Sequence, residues 1–257
     1  MPSNPTWPGI GSPLSDRELK RFNQKSAEYE FLRYLTTDRV HIFDDFTQPV
    51  IATDNWTYTT PGATTTGFAH SAHASGIIRG VSGTTAATSG LKITTPAMWS
   101  GDLFCGMEIR LRTSVITEDR HEMGFASTSP SINTKYVNSM ATPTFNTTAN
   151  GALYLYDHAT ATTTSGLYTI GTAITAAKTA TTTNRIVADT WQKVRIQIVT
   201  NHVYLWVDGI PLVKHNVSGT NYVEGGTLAS LVLSIVRSDT TDANQDVDYI
   251  RVWQDRS

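Results

Sequence analysis

The sequence WQKVRIQIVTNHVYLWVDGIPLVKHNV, from Trp191 to Val217, decides the fold. Apolar and polar residues alternate from Val194 to Ile198 and again from Val203 to Val207, which is the period of strands with one buried face. The dipeptide Asp208-Gly209 follows, and it favours a type I′ hairpin turn because both central positions of that turn need positive φ. Pro211 then places the start of a third strand at a sheet edge or a bulge. The stretch predicts an antiparallel meander of three strands.

The composition of the 257-residue chain is poor in charged residues. They make up 16% of the chain, against about a quarter in ordinary globular proteins. Thr, Ser, Ala and Gly take their place, which favours short strands and polar turns over amphipathic helices. The net charge is −2, so no basic field attracts nucleic acid or an anionic membrane. We therefore expect neither as a partner.

The chain shows no motif for a cofactor, a disulfide or secretion. Cys105 is the single cysteine, which excludes an internal disulfide and a thiolate metal cluster and favours a buried thiol. No glycine-rich phosphate-binding loop opens a predicted helix, so we expect no cofactor. The N-terminus lacks the charged and apolar regions of a signal peptide, and we expect synthesis in the cytoplasm.

Residues 1–38 differ in character from the rest of the chain. Four prolines and two glycines in residues 1–13 exclude regular structure there. A helix is predicted from Leu14 to Leu35, because Ser15 and Glu18 form a capping box. Its apolar stripe packs either on its own domain or on a neighbouring subunit. On the second alternative, residues 1–38 form an attachment arm, whose predicted contact residues are Trp7, Leu14, Leu19, Phe22, Tyr29 and Leu32.

Residues 39–257 are predicted to form one β domain. Short segments with alternating or continuous apolar residues recur between Thr-, Ser- and Gly-rich loops. Besides the meander, the predicted strands cover residues 40–46, 76–81, 90–95, 104–115, 122–127, 152–156, 167–170, 228–237 and 246–254, with one weak strand within 172–183.

The order of these segments resembles the concanavalin A-like lectin/glucanase superfamily over about residues 40–254. The resemblance lies in the opening FDDF segment at Phe43–Phe46, in W-x-x-V-x-I from Trp191 with V-x-L-x-V-D-G from Val203, and in the closing DYIRV at Asp248–Val252. It implies an all-β, two-sheet antiparallel jelly-roll sandwich in which the first and last strands pair. It implies little about function, because this fold carries lectins, glycanases, laminin-G-like modules and virion proteins.

The glycanases of this superfamily need two carboxylates on one strand face, as in the run E-x-D-x-x-E. Retaining glycosidases hold these carboxylates about 5–5.5 Å apart. Glu108 is followed at alternate positions by arginines, and Glu122 by Gly124 and Ala126. Neither strand supplies the second acid, although a partner for Glu122 could come from elsewhere in the chain, such as Asp157. We therefore expect no enzyme activity and name no catalytic residue.

Two surface features are candidates for binding. Asp239, Asp242 and Asp246 form an acidic segment that could hold Ca²⁺, but the preferred interpretation is solvated acids, and we predict no metal site. Arg195, Gln197, Tyr204 and Trp206 are predicted to share the outer face of the meander, where rings and planar polar groups suit a glycan. The preferred alternative is that the N-terminal helix or a neighbouring chain covers Tyr204 and Trp206.

The sequence as a whole is typical of a structural accessory protein of a tailed bacteriophage. The absence of a signal peptide, the proline-rich arm with its capped helix, and the low charge support this interpretation. We predict localisation in the virion, with capsid or tail proteins and further copies of the chain as partners. The alternative is a non-catalytic carbohydrate-binding module for host or environmental glycans, with a glycoside hydrolase using Glu122 as the third hypothesis.

Overall fold

A computed structural model describes fourteen parts of the chain. They are residues 39–51, 53–60, 66–71, 76–83, 90–114, 120–127, 150–157, 165–170, 177–181, 186–199, 202–216, 223, 228–235 and 243–256. The predicted arm and helix of residues 1–38 lie outside these ranges. No helix in the described parts is long and apolar enough to cross a membrane.

Sheet 1 contains eight antiparallel strands in the order β13-β12-β11-β6-β15-β4-β3, with β1 pairing alongside β15. The strands are β1 (Arg39–Asp44), β3 (Thr66–His70), β4 (Ile78–Val81), β6 (Gly106–Thr113), β11 (Gln192–Val199), β12 (His202–Val207), β13 (Ile210–Asn216) and β15 (Asn244–Asp255). The pairing of β1 with β15 confirms that the first and last predicted strands are neighbours.

Sheet 2 contains seven antiparallel strands in the order β10-β9-β8-β7-β14-β5-β2. They are β2 (Thr57–Thr59), β5 (Gly90–Thr94), β7 (Arg120–Ala126), β8 (Gly151–Asp157), β9 (Ser165–Ile170), β10 (Ala177–Thr181) and β14 (Ala229–Ile235). One 3₁₀ turn, Gly101–Leu103, precedes β6. The described residues thus form the predicted two-sheet sandwich, although β2 and β3 were not predicted.

The meander forms as its sequence predicts. Val194 pairs with Val207 and Ile198 with Val203, and the strands turn at Asp208-Gly209, where both residues have positive φ (53° and 77°). The Asp208 carboxylate accepts a hydrogen bond from the Lys193 amide at 2.8 Å, which fixes the register. β13 is the edge strand of sheet 1 and has a register shift opposite Leu205/Trp206, which confirms the interpretation of Pro211.

The core lies between the two sheets. The apolar residues of the meander strands and of β6 are buried there and face Met123, Phe125 and Tyr154 of sheet 2. Gly80 allows close approach of the sheets, because a Cβ at this position would lie 2.8 Å from the Leu91 side chain. Cys105 is a buried free thiol, as predicted.

Candidate functional site

The predicted glycan-binding residues do share one face of sheet 1. Arg195 pairs in register with Trp206 and Gln197 with Tyr204, while the alternate residues of β11 and β12 are buried in the core. All four side chains are half-buried. The strand period that buries the valines and isoleucines therefore places these four residues together on the outer face.

The rings and the guanidinium of this face are in mutual contact. The Tyr204 and Trp206 rings stack with their centroids 5.5 Å apart and their planes 24° apart. The Arg195 guanidinium carbon lies 5.1 Å from the Trp206 centroid, and Arg195 Nη2 donates to Gln197 Oε1 at 3.2 Å. Cation–π contact and hydrogen bonding both restrict the guanidinium. Part of the face of each aromatic ring is therefore covered by contacts within the protein.

Two further residues complete this surface, which we call the aromatic patch (Arg195, Gln197, Tyr204, Trp206, Lys214 and Trp253). Trp253 of β15 is buried, and its ring centroid lies 5.2 Å from the Arg195 guanidinium carbon, so Arg195 contacts two indoles. The exposed Lys214 places its ammonium 5.8 Å from the Tyr204 ring centroid. The sequence reasoning missed Trp253, because its place on this face depends on the register shift in β15 and on the order of the strands.

A charged cluster borders the aromatic patch. Glu108 accepts hydrogen bonds from the Tyr249 hydroxyl at 2.6 Å and from Arg251 Nη2 at 3.0 Å. Burial, together with the Glu108 carboxylate, raises the pKa of Tyr249, so this phenol remains a proton donor at neutral pH. The two donors therefore fix the position of the Glu108 carboxylate, and Arg251 compensates its charge.

Asp246 does not belong to an open acidic loop, so both the calcium hypothesis and the preferred interpretation as a solvated acid are wrong for this residue. It lies in β15, is 3% exposed, and accepts from Arg79 Nε and Arg112 Nη2, each at 2.5 Å. Burial raises the pKa of Asp246, but the hydrogen bonds from both arginines outweigh burial and hold it below its usual value. Two guanidinium groups occupy the carboxylate, which makes Asp246 unsuited to binding a cation. Asp239 and Asp242 lie outside the described ranges.

Glu122, the residue of the glycosidase hypothesis, lies in β7 on the face opposite Met123 and Phe125. Its carboxylate accepts from Arg120 Nε at 2.9 Å and Nη2 at 2.6 Å, and the two side chains are 0% and 1% exposed. Asp157 is the register partner of Arg120, two pairs away from the pair that Glu122 forms with Leu155. The arginine was missed from the sequence, although residues two apart on a strand share a face.

Lys92 of β5 is a second buried cation of sheet 2. It pairs in register with Leu233, which pairs on its other side with Glu122. Lys92 is 6% exposed, and burial lowers the pKa of its ammonium. The outer face of β7 and β5 therefore carries buried charged groups, in contrast to the half-buried aromatic patch of sheet 1.

Comparison with known proteins matches the fold. The chain is similar to the Emp47p carbohydrate recognition domain (TM-score 0.57, 11% identity), with 83% of this chain and 95% of that chain covered. It is also similar to a Bacillus licheniformis β-glucanase (TM-score 0.56, 10% identity, 84% and 98% covered). A third similar structure is the catalytic domain of an endo-1,3-β-glucanase (laminarinase) from Thermotoga petrophila RKU-1 (TM-score 0.55, 14% identity, 86% and 100% covered).

These likenesses concern the fold alone, because every identity is far below 25%. No protein-family model matches the sequence. No curated protein matches it either. The chain therefore has the fold that the sequence predicts, an all-β, two-sheet antiparallel jelly-roll sandwich like that of the concanavalin A-like lectins and glucanases.

Proposed function

We propose that this protein binds glycans without cleaving them and that the aromatic patch of sheet 1 is the binding surface. The observation that carries the proposal is the stacked pair of Tyr204 and Trp206, with the guanidinium of Arg195 over the Trp206 ring, on a half-buried outer face. Aromatic rings offer apolar surface to a sugar ring, and planar polar groups hydrogen-bond its hydroxyls. The fold shared with a carbohydrate recognition domain supports the same conclusion.

The patch is organised before any ligand arrives. Cross-strand pairing fixes the backbones, and contacts with Trp206, Trp253 and Gln197 restrict Arg195. Binding of a ligand therefore costs little conformational entropy, because these side chains are already ordered. This favours affinity from a small contact area.

The environment of Glu122 supports the non-catalytic part of the proposal. A glycosidase acid must reach the glycosidic oxygen, and its carboxylate needs a second carboxylate about 5–5.5 or 6.5–9.5 Å away. Glu122 is instead fully buried, with Arg120 on its carboxylate. The buried carboxylate, with both Arg120 hydrogen bonds on Oε1, is therefore not placed to reach a glycosidic oxygen.

A glycan array probed with the full chain tests this function. Trp206→Ala should reduce affinity for the best ligand at least about tenfold, because it removes a ring and the support of Arg195. Val50→Ala is the control, since Val50 is a 73% exposed apolar residue outside the strands of both sheets. Absence of binding to every glycan, or equal affinities for wild type and Trp206→Ala, would contradict the proposal.

The virion role, with capsid or tail proteins and further copies of the chain as partners, stays a prediction from the sequence. It depends on attachment through residues 1–38, which lie outside the described ranges. Removal of this arm should abolish incorporation into a particle if the prediction is right, and particle composition measured by mass spectrometry tests it.

A further inference from the structure

The charge of the aromatic patch indicates which class of glycan it takes. Together with the bordering pair Glu108 and Arg251, the patch contains three cations, Arg195, Arg251 and Lys214, and one carboxylate. This surface is therefore net positive, on a chain whose net charge is −2. A local field of opposite sign to the whole molecule favours an anionic ligand at this place.

Glu108, the carboxylate of the bordering pair, is already compensated. Glu108 Oε1 lies 3.0 Å from Arg251 Nη2, and both side chains are 12% exposed, so this pair is largely removed from solvent. The exposed Lys214 contacts the Tyr204 ring, and among the described residues no carboxylate lies within ion-pair distance of its ammonium. The excess charge is therefore at the solvent-facing end of the patch.

The ring contacts also favour recognition by charge. A neutral sugar binds aromatic residues mainly by stacking on a free ring face. Here Trp206 contacts both the Tyr204 ring and the Arg195 guanidinium, and Tyr204 contacts Trp206 and the Lys214 ammonium. The rings hold the cations in place. The guanidinium and ammonium groups then donate the hydrogen bonds that carboxylates and sulfates accept.

We infer that the patch takes an anionic glycan, whose carboxylate or sulfate groups bind Lys214 and Arg195 while the sugar rings lie over Tyr204 and Trp206. This inference rests on the proposed function and names its ligand class. The backbones of Lys214 on β13 and Arg195 on β11 are separated by two strand spacings across the sheet and two residues along it, about 12 Å. The ligand is therefore an oligosaccharide with acidic groups on more than one residue.

Two pairs of matched oligosaccharides test the inference on the full chain by calorimetry. Oligogalacturonate is compared with its methyl ester, and a sulfated galactan oligosaccharide with its desulfated form, so that carboxylate and sulfate are distinguished. We expect an anionic form of at least one pair to bind about tenfold or more tightly than its neutral counterpart. This preference should shrink as salt increases, because the cations are close to solvent.

Lys214→Gln should remove most of the preference for the anionic form. The control Lys178→Gln removes the same charge from β10 of sheet 2, and the preference should persist in it. Equal binding of both forms would overturn the anionic class while leaving glycan binding intact. Binding of neither form of either pair would also overturn the anionic class, whereas the proposed function itself fails only if the array shows no glycan bound or equal affinities for wild type and Trp206→Ala. A preference that Lys214→Gln leaves unchanged would overturn the assignment to this patch.

Discussion

Trp253 lies directly across Gly106, its register partner on the neighbouring strand. A Cβ at position 106 would be 2.5 Å from the Trp253 ring, a distance that real Cβ atoms essentially never show. The same ring is one of the two indoles that hold the guanidinium of Arg195. The absence of a side chain at position 106 therefore determines how the aromatic patch is assembled.

Gly106→Ala should displace Trp253 and disturb the patch. Because the ring is rigid and 2% exposed, we expect a loss of about 1–3 kcal/mol in the free energy of unfolding, as for overpacking in a core. Glycan affinity should fall as well. Urea denaturation and ligand titration measure the two effects. Gly67→Ala is the control, because its Cβ would meet only ordinary contact at 3.5 Å, and it should be nearly neutral.

Asp246 between Arg79 and Arg112 predicts an acid-sensitive stability. Its pKa in the folded state lies below its usual value, which is about 3.9 in unfolded chains. The ionised carboxylate therefore contributes its full stabilisation above about pH 4, and this contribution is lost as the pH falls through the folded pKa. Chemical denaturation at a series of pH values between about 2 and 7 should show the decline.

Asp246→Asn should flatten this acid limb of the stability profile. We expect it to lower the free energy of unfolding at pH 7 by about 2–3 kcal/mol, less than the roughly 3–5 kcal/mol of a fully buried pair. The smaller value follows from the exposure of Arg79 and Arg112, 35% and 28%. Asp54→Asn, at an exposed position, serves as control. An unchanged acid limb in Asp246→Asn would show that the Asp246 pairs do not stabilise the fold.

The sequence predicted those parts of the fold that local rules determine. Alternation in the meander and the Asp208-Gly209 turn are set by neighbours along the chain, and both were correctly predicted. The outward position of Arg195 and Trp206 followed from the same alternation. β2 and β3 were missed because Thr57–Thr59 and Thr66–His70 are short and lack an apolar alternation, and pairing with β5 and β4 forms them.

What the sequence could not reveal were contacts between residues far apart in the chain. Asp246 contacts Arg79, 167 positions away, so this carboxylate belongs to an internal ion pair and not to an open acidic loop. The register shift between Val247 and Tyr249 moves Asp248 out of alternation and brings it to Arg110, and it also turns Trp253 outward. Only the strand order of sheet 1 brings Trp253 close to Arg195.

The buried thiol of Cys105 should be chemically inert in the folded protein. Burial raises the pKa of this thiol, so the thiolate, which is the reactive form, is scarcely populated at neutral pH. We expect a thiol reagent such as DTNB to modify Cys105 only at the rate at which the protein unfolds. Adding denaturant should restore rapid reaction with one thiol per chain. Fast modification under native conditions would contradict the burial of Cys105.

Substitution of Glu122 distinguishes a structural carboxylate from a catalytic one. If it is a buried partner of Arg120, Glu122→Gln removes the negative charge beside the arginine, and the free energy of unfolding should fall by about 3–5 kcal/mol. A catalytic acid in an open site would give the opposite result, since replacing strained active-site groups commonly leaves stability unchanged or raises it.

The double variant Arg120→Met/Glu122→Leu completes this test. Replacing both members of a buried ion pair by apolar residues of similar volume is often neutral or stabilising, so the double variant should recover most of the stability that Glu122→Gln loses. Wild-type protein incubated with mixed-linkage and 1,3-β-glucans should release no reducing sugar. If the wild type releases sugar, and Glu122→Gln abolishes this release while remaining as stable as the wild type, Glu122 is a catalytic residue and the non-catalytic proposal is wrong.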